Sequence, residues 1–362
     1  MNLSVGIVGL PNIGKSTLFN AMTNSTVEAA NYPFATIDPN VGIVKINDPH
    51  LLKLAEIVHS QNTVHAIIEF VDIAGLVKGA SEGAGLGNLF LANIREVGCI
   101  AHVVRVFSNK DIIHVSNRID PKDDVSIINT ELCLKDLDTL QKIKSNTEKN
   151  KKAGSTSVTI DRLQLLDKLL EHLDQNQLIN KLELSQDESI LIKEWSLLTS
   201  KPMIYVANVD ESDLNLDDSA LKEILGISES DMVIGMNIQL EMEISQLSDN
   251  DKPEFYKEVG IEESGIDKLA RAGYKALGLI DYYTAGEKEV RAWTIKRGMK
   301  APQAAGVIHQ DFEKKFIFMD CVDYEKFIDA GGWSASKEKG YVRTEGKEYT
   351  VKDNDVIIVK HG

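Results

Sequence analysis

Cysteine is scarce in this sequence. The 362 residues include 3 cysteines, Cys99, Cys133 and Cys321, which stand far apart and show no C-x-x-C or other metal-ligand spacing. Disulfide-stapled scaffolds and cysteine-based metal sites need paired or closely spaced cysteines, so both classes are excluded. We therefore expect reduced thiols in a reducing compartment.

Long apolar runs and an excess of positive charge are also missing. No run reaches the ~18 apolar residues of a membrane-spanning helix, and no basic leader precedes an apolar stretch. The expected location is the cytoplasm, with no membrane partner. There are 40 Lys and Arg against 55 Asp and Glu, a formal net charge of −15. This balance argues against broad, charge-driven nucleic-acid binding and DNA specificity, although a local basic face remains possible.

The most informative stretch that is present is Gly9–Thr17, which fits G-x-x-x-x-G-K-[ST] at each fixed position. A predicted strand, Leu3–Val8, precedes it, and a predicted helix starts at Ser16. The glycines let the backbone wrap around a triphosphate, with N–H groups and the helix N-terminus directed at the anion. Lys15 would neutralise the β- and γ-phosphate oxygens, and the Ser16 hydroxyl would hold Mg²⁺. The sequence therefore predicts binding of a nucleoside triphosphate.

A second motif of this class follows the predicted strand Ala66–Val71. Asp72 and Gly75 form D-x-x-G, where a P-loop NTPase places its second metal-side carboxylate. The segment Gly75–Gly87 then has 5 glycines in 13 residues, a density that opposes regular structure. We interpret it as a segment that orders around the γ-phosphate. A flexible linker is the alternative.

Residues 124–199 show a helical pattern. Leucines recur at 3-4-3 spacing, as in a coiled-coil seam, at Leu163, Leu166, Leu170 and Leu173. The segment Ser185–Glu188 is a capping box that opens a further helix. We predict an antiparallel helical hairpin inserted into the nucleotide domain. Its lysine-rich stretch at 149–152 is interpreted as a solvated tip, with a binding site as the alternative.

Strands resume after the hairpin, at Pro202–Ala207 and Met232–Ile234. Strands that alternate with helices indicate an α/β fold with a parallel, doubly wound sheet, and ligands bind at the carboxyl ends of such strands.

The pattern changes again after about Leu277, where a small α+β domain is predicted. Its strands are expected at Val290–Ile295, Lys315–Asp320, Tyr349–Val351 and Asp355–Val359, and its helices at Ala301–His309 and Asp323–Asp329. Between Lys288 and His309 the only acidic residue is Glu289, and the cations there are Lys288, Arg291, Lys296, Arg297 and Lys300. RNA or a ribosomal surface is one target for this basic face. An ordinary charged strand edge is the other interpretation.

Several motifs together resemble the YchF/Obg-like ATPase family, over nearly the whole chain. They are Gly9–Thr17, Asn31–Phe34, Asp72–Ala80, Gly85–Asn88, Ala92–Glu96, His102–Arg105, Tyr283–Gly286, Glu289–Thr294 and His309–Lys314. The resemblance implies a Ras-like P-loop G domain at 1–277, with the hairpin at about 124–199, and a TGS domain of β-grasp type at 278–362. It also implies ATP hydrolysis and a nucleotide switch that binds ribosomes, the large ribosomal subunit or RNA through the TGS and helical parts, in translation or stress regulation. A monomer is expected.

The resemblance further implies the roles of individual residues. The nucleotide contacts are Asn12, Ile13, Gly14, Lys15, Ser16, Thr17, Gly75, Asn208 and Val209. Ser16, Thr36 and Asp72 would hold Mg²⁺, with Asp72 acting directly or through water. Asn12 matches the asparagine that holds K⁺ in related potassium-activated NTPases.

Two departures from ordinary GTPases stand out. The residue after D-x-x-G is Leu76 instead of a water-orienting glutamine, so turnover should be slow or use another group. His114 is the candidate, since its near-neutral pKa suits proton chemistry, and an exposed loop histidine is the alternative. In the base segment, Asn208–Glu211 replaces N-K-x-D, and the resemblance implies ATP, because the family likewise has N-x-x-E there and prefers ATP. The later segment Gly235–Asn237 replaces S-A-K and departs from the family pattern as well, which leaves the exact base contacts open. The rival hypotheses are a GTPase, and a nucleotide-gated ribosome or RNA binder in which hydrolysis is unimportant.

Overall fold

The computed structural model describes residues 3–24, 40–73, 92–108, 119–151, 157–248 and 250–362. Thr36, Leu76 and His114 lie outside these ranges. So do the motif Asn31–Phe34 and the glycine-rich segment Gly75–Gly87, and its predicted ordering around the γ-phosphate stays a prediction.

Strands and helices alternate through much of the described chain. The strands are β1 (Ser4–Val8), β2 (Val41–Lys45), β3 (Thr63–Val64), β4 (Ile67–Asp72), β5 (Cys99–Arg105), β6 (Met203–Asn208), β7 (Met232–Met236), β8 (Leu279–Ala285), β9 (Val290–Lys296), β10 (Phe316–Asp323), β11 (Arg343–Glu345) and β12 (Asp355–His361). The helices are α1 (Lys15–Asn24), α2 (Pro49–Ile57), α3 (Pro121–Lys151), α4 (Ser157–Asp174), α5 (Gln186–Trp195), α6 (Asp218–Leu225), α7 (Ile238–Ser245), α8 (Lys252–Val259), α9 (Gly265–Ala276), α10 (Ala301–Ile308), α11 (Gln310–Lys314), α12 (Tyr324–Ala330) and α13 (Trp333–Glu338). Residues 92–96 are also helical.

The described residues form two compact units. The first holds 3–24, 40–42 and 69–268, and the second holds 43–68 and 269–362, with the gaps given above. The boundary therefore falls within β2, β4 and α9.

The first sheet has the order β2-β4-β1-β5-β6-β7. Every neighbouring pair from β4 to β7 is parallel. The Asp72 N–H donates to the Asn40 carbonyl and the Ile46 N–H donates to the Ala66 carbonyl, so β2 runs antiparallel to β4. The strands β1, β5 and β6 are buried along their whole length, as expected for central parallel strands. The predicted α/β class is confirmed.

This topology brings distant parts of the chain to one edge of the sheet. The loop Gly9–Gly14 follows β1, and Asp72, Arg105, Asn208 and Met236 end β4, β5, β6 and β7. Because carboxyl ends of parallel strands share an edge, the motifs predicted from sequence lie on the same side.

Helices α3 and α4 pack against each other between β5 and β6. Lys144 in α3 forms an ion pair of 2.6 Å with Asp167 in α4. Closer to the sheet, the Cys133 thiol lies 3.9 Å from the Gln177 carbonyl oxygen just beyond α4. These two contacts show that the helices run antiparallel. The capping box of α5 is present, since Ser185 and Glu188 exchange hydrogen bonds of 2.7 and 3.2 Å.

The predicted leucine seam of α4 is wrong at two positions. Leu166 and Leu173 are buried as expected, but the other fully buried leucines are Leu165 and Leu169. Leu163 and Leu170 are only half-buried. A strict coiled-coil seam faces one partner helix, whereas α4 also contacts the turn at Ile179–Lys181. A second neighbour shifts and widens the buried arc.

The second unit is built on a sheet with the order β11-β10-β12-β8-β9-β3. Its core lies between one sheet face and α10, and includes Tyr282, Ile295, Ala304, Met319 and Ile357. The short strand β3, from the N-terminal third of the chain, pairs in parallel with the start of β9. No pattern in the sequence pointed to this distant partner.

One predicted strand of this unit, Tyr349–Val351, is wrong. Thr350 forms only an isolated bridge with Lys300. The Ala301 N–H donates to the Tyr349 carbonyl at 2.8 Å, and the Val351 N–H donates to the Met299 carbonyl at 3.0 Å. The segment therefore pairs with the turn before α10, which offers too few partners for a strand.

The state of the cysteines and the hydrophobicity of the helices are as expected from the sequence. Cys99, Cys133 and Cys321 are buried free thiols. None of the described helices is long and apolar enough to cross a membrane.

Candidate nucleotide-binding site

The loop between β1 and α1 has a backbone that few residues can adopt. Gly9, Asn12 and Gly14 have φ values of 150°, 61° and 104°, where side chains other than glycine are disfavoured. A Cβ on Gly9 would lie 2.5 Å from the Val103 carbonyl oxygen, and one on Gly14 would lie 2.8 Å from Asn208 Nδ2. A side chain at either glycine would therefore clash with its neighbours. The backbone of this loop can approach a phosphate group closely, as a phosphate-binding loop requires.

Lys15 is the first residue of α1 and is only 8% exposed. Its Nζ donates to the Leu10 carbonyl oxygen at 2.7 Å. An ammonium has three donors, and the described residues supply this one acceptor. Burial lowers the pKa of the Lys15 ammonium to about 8, while the charge of Asp72 opposes that shift. A desolvated cation with spare donors is suited to phosphate oxygens.

Asp72 ends β4 on the same sheet edge and is half-buried. Burial raises the pKa of its carboxyl group, and the positive charge of Lys15 acts in the opposite direction. Ser16, exposed in the first turn of α1, adds a hydroxyl to the same region. A carboxylate and a hydroxyl are hard oxygen donors, the kind that Mg²⁺ prefers. The donor set at this edge therefore fits a magnesium-bound triphosphate.

Asn208 connects three parts of the site. Its Nδ2 donates to the Ile13 carbonyl oxygen at 3.0 Å, and its Oδ1 accepts from the Ile238 N–H at 3.1 Å. The P-loop, the end of β6 and the start of α7 are therefore held together by one buried amide. With both polar atoms of its side chain engaged, Asn208 is best described as a clamp on the site.

Val209 is fully buried, and its two backbone polar groups are also paired. Its N–H donates to the Met236 carbonyl at 3.0 Å, and its carbonyl accepts from Asn237 Nδ2 at 2.9 Å. Glu211, the fourth residue of the base segment, is exposed. Base contacts through Asn208 and Val209 therefore remain a prediction.

His102 was missed as a site residue by the sequence reasoning. It lies on β5 opposite Val8 and is 1% exposed. Its Nδ1 has no hydrogen-bond partner in the described part of the chain. Burial, with a smaller effect from the charge of Lys15, lowers the pKa of its imidazole to about 3. The imidazole of His102 is therefore neutral and adds no second positive charge near Lys15. Its place next to the P-loop follows from the pairing of β5 with β1, which the sequence alone does not show.

The remaining predicted positions divide into two sets. Asn12, Ile13, Gly14, Lys15, Ser16 and Thr17 form the loop and the first turn of α1, and Asp72 and Asn208 end β4 and β6 at the same edge of the sheet. Thr36, Gly75 and His114 lie outside the described residues, so their roles stay predictions.

The site has a tight loop that requires two glycines, a buried lysine, and a carboxylate at the end of a parallel strand. Together these features define a P-loop nucleoside triphosphate hydrolase. Residues 4–150 match the family model described as a 50S ribosome-binding GTPase. Residues 279–362 match the YchF-GTPase_C model, described as a protein of unknown function.

Relatives extend this similarity over the full length. The protein named "Ribosome-binding ATPase YchF" from Bacillus subtilis (strain 168) is 49% identical over 362 residues, covering 99% of this chain and 98% of its own. The protein of the same name from Escherichia coli O157:H7 is 49% identical over 359 residues, with coverage of 99% and 98%. The chain belongs to the YchF family, as its motifs predicted.

A solved structure supports the same assignment. The structure of the Schizosaccharomyces pombe YchF GTPase superposes with a TM-score of 0.89 at 39% identity. The match covers 99% of this chain and 98% of that one. The names of these relatives disagree on the nucleotide, since some say ATPase and others GTPase.

Proposed function

We propose that this protein is a Mg²⁺-dependent ATPase that acts as a nucleotide switch on ribosomes in the cytoplasm. The observation that carries the proposal is the buried Lys15 beside Asp72 in a chain 49% identical, end to end, to proteins named ribosome-binding ATPases. The rival hypotheses are hydrolysis of GTP, as the name of the S. pombe relative says of that protein, and nucleotide-gated ribosome or RNA binding without a need for hydrolysis.

The base segment supports ATP. In N-K-x-D the aspartate accepts hydrogen bonds from the N1–H and amino group of guanine, whereas the fourth residue here is the exposed Glu211. Its carboxylate is one methylene further from the backbone, and Val209 replaces the lysine. Adenine has no N1–H, so it loses nothing where that acceptor is misplaced.

The reaction we propose is in-line attack of water on the γ-phosphate. Lys15, the loop amides and the N-terminus of α1 stabilise the negative charge that develops on the phosphate oxygens. Ser16, Thr36 and Asp72 would hold Mg²⁺, which supplies further positive charge there. Asn12 would hold K⁺ beside the phosphates.

The group that orients the attacking water is a separate proposal. Leu76 can neither donate nor accept a hydrogen bond, which favours slow turnover or a different residue in this role. We propose His114, whose imidazole can exchange a proton near neutral pH.

The partner we propose is the ribosome, through its large subunit or exposed RNA. Residues 279–362 contain 14 Lys or Arg and 14 Asp or Glu, so this part is formally neutral on a chain of net charge −15. Lys288, Lys296 and Arg297 are exposed around β9. Residues 279–362 should therefore repel the phosphates of RNA less than the acidic remainder of the chain does, and their exposed cations can contact those phosphates.

For the functional domains we propose the division that the sequence predicts. The nucleotide-binding domain spans 1–277, with the helical hairpin at about 124–199, and the TGS domain spans 278–362. The start of the C-terminal family match at residue 279 supports this boundary. Both the hairpin and the TGS domain are candidate ribosome contacts on a monomer.

Sedimentation of purified protein with ribosomes tests the binding half of the proposal. We expect co-sedimentation that changes between ATP, ADP and no nucleotide, and steady release of phosphate from ATP. Lys15→Ala/Ser16→Ala separates the rival binding role. If that variant still docks, cannot hydrolyse ATP and yet restores function in cells, hydrolysis is unimportant.

A further inference from the structure

Strand β9 has one edge that is only partly covered. In the described part of the chain it pairs with β8 along its whole length, and its neighbour on the other side is β3. The pairing with β3 is limited to Val290 and Arg291. The rest of the strand, Ala292–Lys296, therefore forms an open edge of the second sheet.

The hydrogen bonds at the two ends of β9 show which backbone groups face the open edge. On the β3 side, the Val290 N–H donates to the Asn62 carbonyl at 2.9 Å. On the β8 side, the Arg297 N–H donates to the Gly278 carbonyl at 2.9 Å. Backbone groups of successive residues alternate between the two sides of a strand. The residues of the open edge whose backbone groups face away from β8 are therefore Ala292, Thr294 and Lys296.

Four of these backbone groups are available to a further strand. The Lys296 carbonyl is occupied, because it accepts from the Met299 N–H at 3.2 Å in the following turn. The Ala292 carbonyl, the Thr294 N–H and carbonyl, and the Lys296 N–H have no hydrogen-bond partner among the described residues. A row of unpaired donors and acceptors on an edge strand is a template for another strand.

Strand β3 shows that this edge accepts a strand. It consists of Thr63 and Val64 and runs parallel to β9. The chain then turns away from β9, because the Ala66 carbonyl accepts from the Ile46 N–H at 2.8 Å. A strand that pairs with residues 292–296 would continue the sheet edge from the point where β3 ends.

The side chains around the open edge carry positive charge. Strand β9 contains no acidic residue. Lys296 is exposed and Arg291 is half-buried, and neither forms an ion pair with a carboxylate of the described chain. The Arg291 guanidinium stacks on Trp293, with its Cζ 4.3 Å from the ring centroid. Arg297 is exposed as well, and its contact with Asp353 is a long one of 3.9 Å.

The pattern of backbone groups and charges selects one kind of partner. RNA phosphates can accept from the N–H groups of this edge, but they cannot donate to the carbonyls of Ala292 and Thr294. A second copy of β9 would bring its own Arg291 and Lys296 close to the same cations, and like charges on paired strands repel each other. An extended acidic polypeptide pairs with both kinds of backbone group and brings carboxylates to the cations.

We propose that the open edge of β9 binds an extended acidic segment of a partner protein, which joins the second sheet as a further strand. Residues 292–296 span about 16 Å at ~3.3 Å per residue, the length of a segment of about five residues. The inference goes beyond the proposed function, because it involves neither the P-loop nor a nucleotide. It assigns the cations around β9 to a protein partner, and RNA becomes an alternative that the test must exclude.

Two peptides of equal length and charge test the proposal on the full-length chain without nucleotide. The probes are (Glu-Val)4 and (Glu-Pro)4 with blocked ends, and isothermal titration calorimetry measures their affinities. Proline removes half of the peptide N–H groups and favours the polyproline II conformation over a strand. We expect (Glu-Val)4 to bind about tenfold or more tightly than (Glu-Pro)4. Hydrogen exchange of the amides in 292–296 should slow with (Glu-Val)4 only.

Two substitutions at Lys296 separate the charge from the backbone donor. Lys296→Gln removes the charge, whereas Lys296→Pro also removes the N–H on the open edge and leaves the hydrogen bonds with β8 in place. We expect Lys296→Gln to weaken (Glu-Val)4 binding about threefold or more, and Lys296→Pro about threefold or more beyond that. Lys314→Gln is the matched control, because Lys314 is an exposed lysine next to β10, and β12 and β8 lie between β10 and β9. It should leave the affinity unchanged.

Three results would overturn the inference. One is equal affinity for the two peptides, which would mean that the cations alone attract an acidic chain. Another is a single-stranded uridine oligonucleotide that binds more tightly than (Glu-Val)4 and slows exchange at the same amides, which would make the edge an RNA contact. The third is a dimer of the parent in sedimentation velocity that (Glu-Val)4 dissociates, which would make a second copy the partner. The peptide comparison uses the parent, so it decides the matter even if Lys296→Pro does not fold. A parent protein that binds no ATP would contradict the proposed function and leave this inference unaffected.

Discussion

The Lys15 ammonium is buried, and no carboxylate among the described residues lies within ion-pair distance of it. Burial lowers the pKa of Lys15 and raises the pKa of Asp72. The charge of each residue opposes the shift of the other but only partly cancels it. A phosphate group would relieve this cost on the lysine side. The same residue that serves binding should therefore destabilise the ligand-free protein.

Lys15→Met tests this conflict between binding and stability. We expect the ligand-free variant to melt no lower than the parent, because a buried charge is replaced by an apolar chain of similar length. The ATP-induced rise in melting temperature should disappear. Thermal unfolding with and without Mg-ATP measures both quantities.

Lys201→Met is the matched control. Lys201 is also a partly buried lysine whose Nζ donates to backbone carbonyls, those of Arg95 and Val97, at 3.2 and 2.6 Å. Its variant should keep the ATP-induced shift. A large drop in the melting temperature of ligand-free Lys15→Met would show that the lysine is needed for the fold itself.

Asn12 gives a second prediction at this scale. If it holds K⁺ beside the phosphates, replacing K⁺ by Na⁺ at constant ionic strength should slow ATP turnover in the parent. Asn12→Ala should show a much smaller difference between the two salts. Equal parent rates in K⁺ and Na⁺ would remove the idea.

Asp281 in the second unit makes stability depend on pH. Burial raises the pKa of its carboxyl to about 7, although hydrogen bonds from Tyr274 and Thr294 partly oppose this. Between pH 4 and pH 7 the folded state binds a proton that the unfolded state has released, so stability falls as pH rises and levels off above pH 7. A shift from 3.8 to about 7 corresponds to as much as about 4 kcal/mol.

Asp281→Asn should remove this pH dependence, because the amide stays neutral and its Oδ1 can still accept a hydrogen bond. Melting temperatures of the two proteins at pH 5 and pH 8 provide the comparison. The parent should lose more stability than the variant between these values. A larger loss in Asp281→Asn would show that the carboxylate is well accommodated when charged.

At the scale of elements, α4 shows how packing departs from a sequence repeat. The 3-4-3 leucine spacing indicates a seam through Leu170, yet Leu169 is fully buried and Leu170 is half-buried. A spacing pattern fixes the side of a helix only when that helix has one neighbour. When a helix has two neighbours, the contacts with both of them decide which of its side chains are buried.

Leu169→Ala and Leu170→Ala form a matched pair that measures this difference. Removing the buried Leu169 side chain should cost roughly 2–5 kcal/mol, and Leu170→Ala clearly less. Urea unfolding followed by far-ultraviolet circular dichroism gives both values. The reverse order would support the seam predicted from the sequence.

Several other elements could be predicted because a local sequence pattern is sufficient to define them. Strands β1, β4, β6 and β7 could be placed from sequence, because continuous apolar runs between turn residues are typical of buried parallel strands. The P-loop and D-x-x-G could be placed because their chemistry requires fixed residue types. Their meeting at one sheet edge follows from the parallel order.

What could not be predicted depends on long-range pairing. The two-residue strand β3 is too short to show any periodicity, and only its pairing with β9 defines it. The hydrogen bonds from Asn208 to Ile13 and Ile238 join residues up to 195 positions apart. The burial of His102 and Arg105 likewise depends on neighbours that no local pattern contains.

At the scale of the whole molecule, charge is unevenly distributed along the chain. Residues 279–362 are formally neutral, so the net charge of −15 belongs to residues 1–278. Contact with ribosomal RNA through the C-terminal unit should therefore weaken as salt rises, with a slope that reports the few phosphates involved. A ribosome contact made mainly through protein surfaces would depend less on salt.

The central claim is that this P-loop protein uses ATP, and parallel titrations of Mg-ATP and Mg-GTP into the purified parent protein test it most directly. A buried donor left without its partner costs roughly 1–3 kcal/mol, which is ~5- to 150-fold in affinity. Guanine would suffer that loss at Asn208–Glu211, so we predict that ATP binds at least several-fold more tightly than GTP. Tighter binding of GTP would contradict the account and make the protein a GTPase.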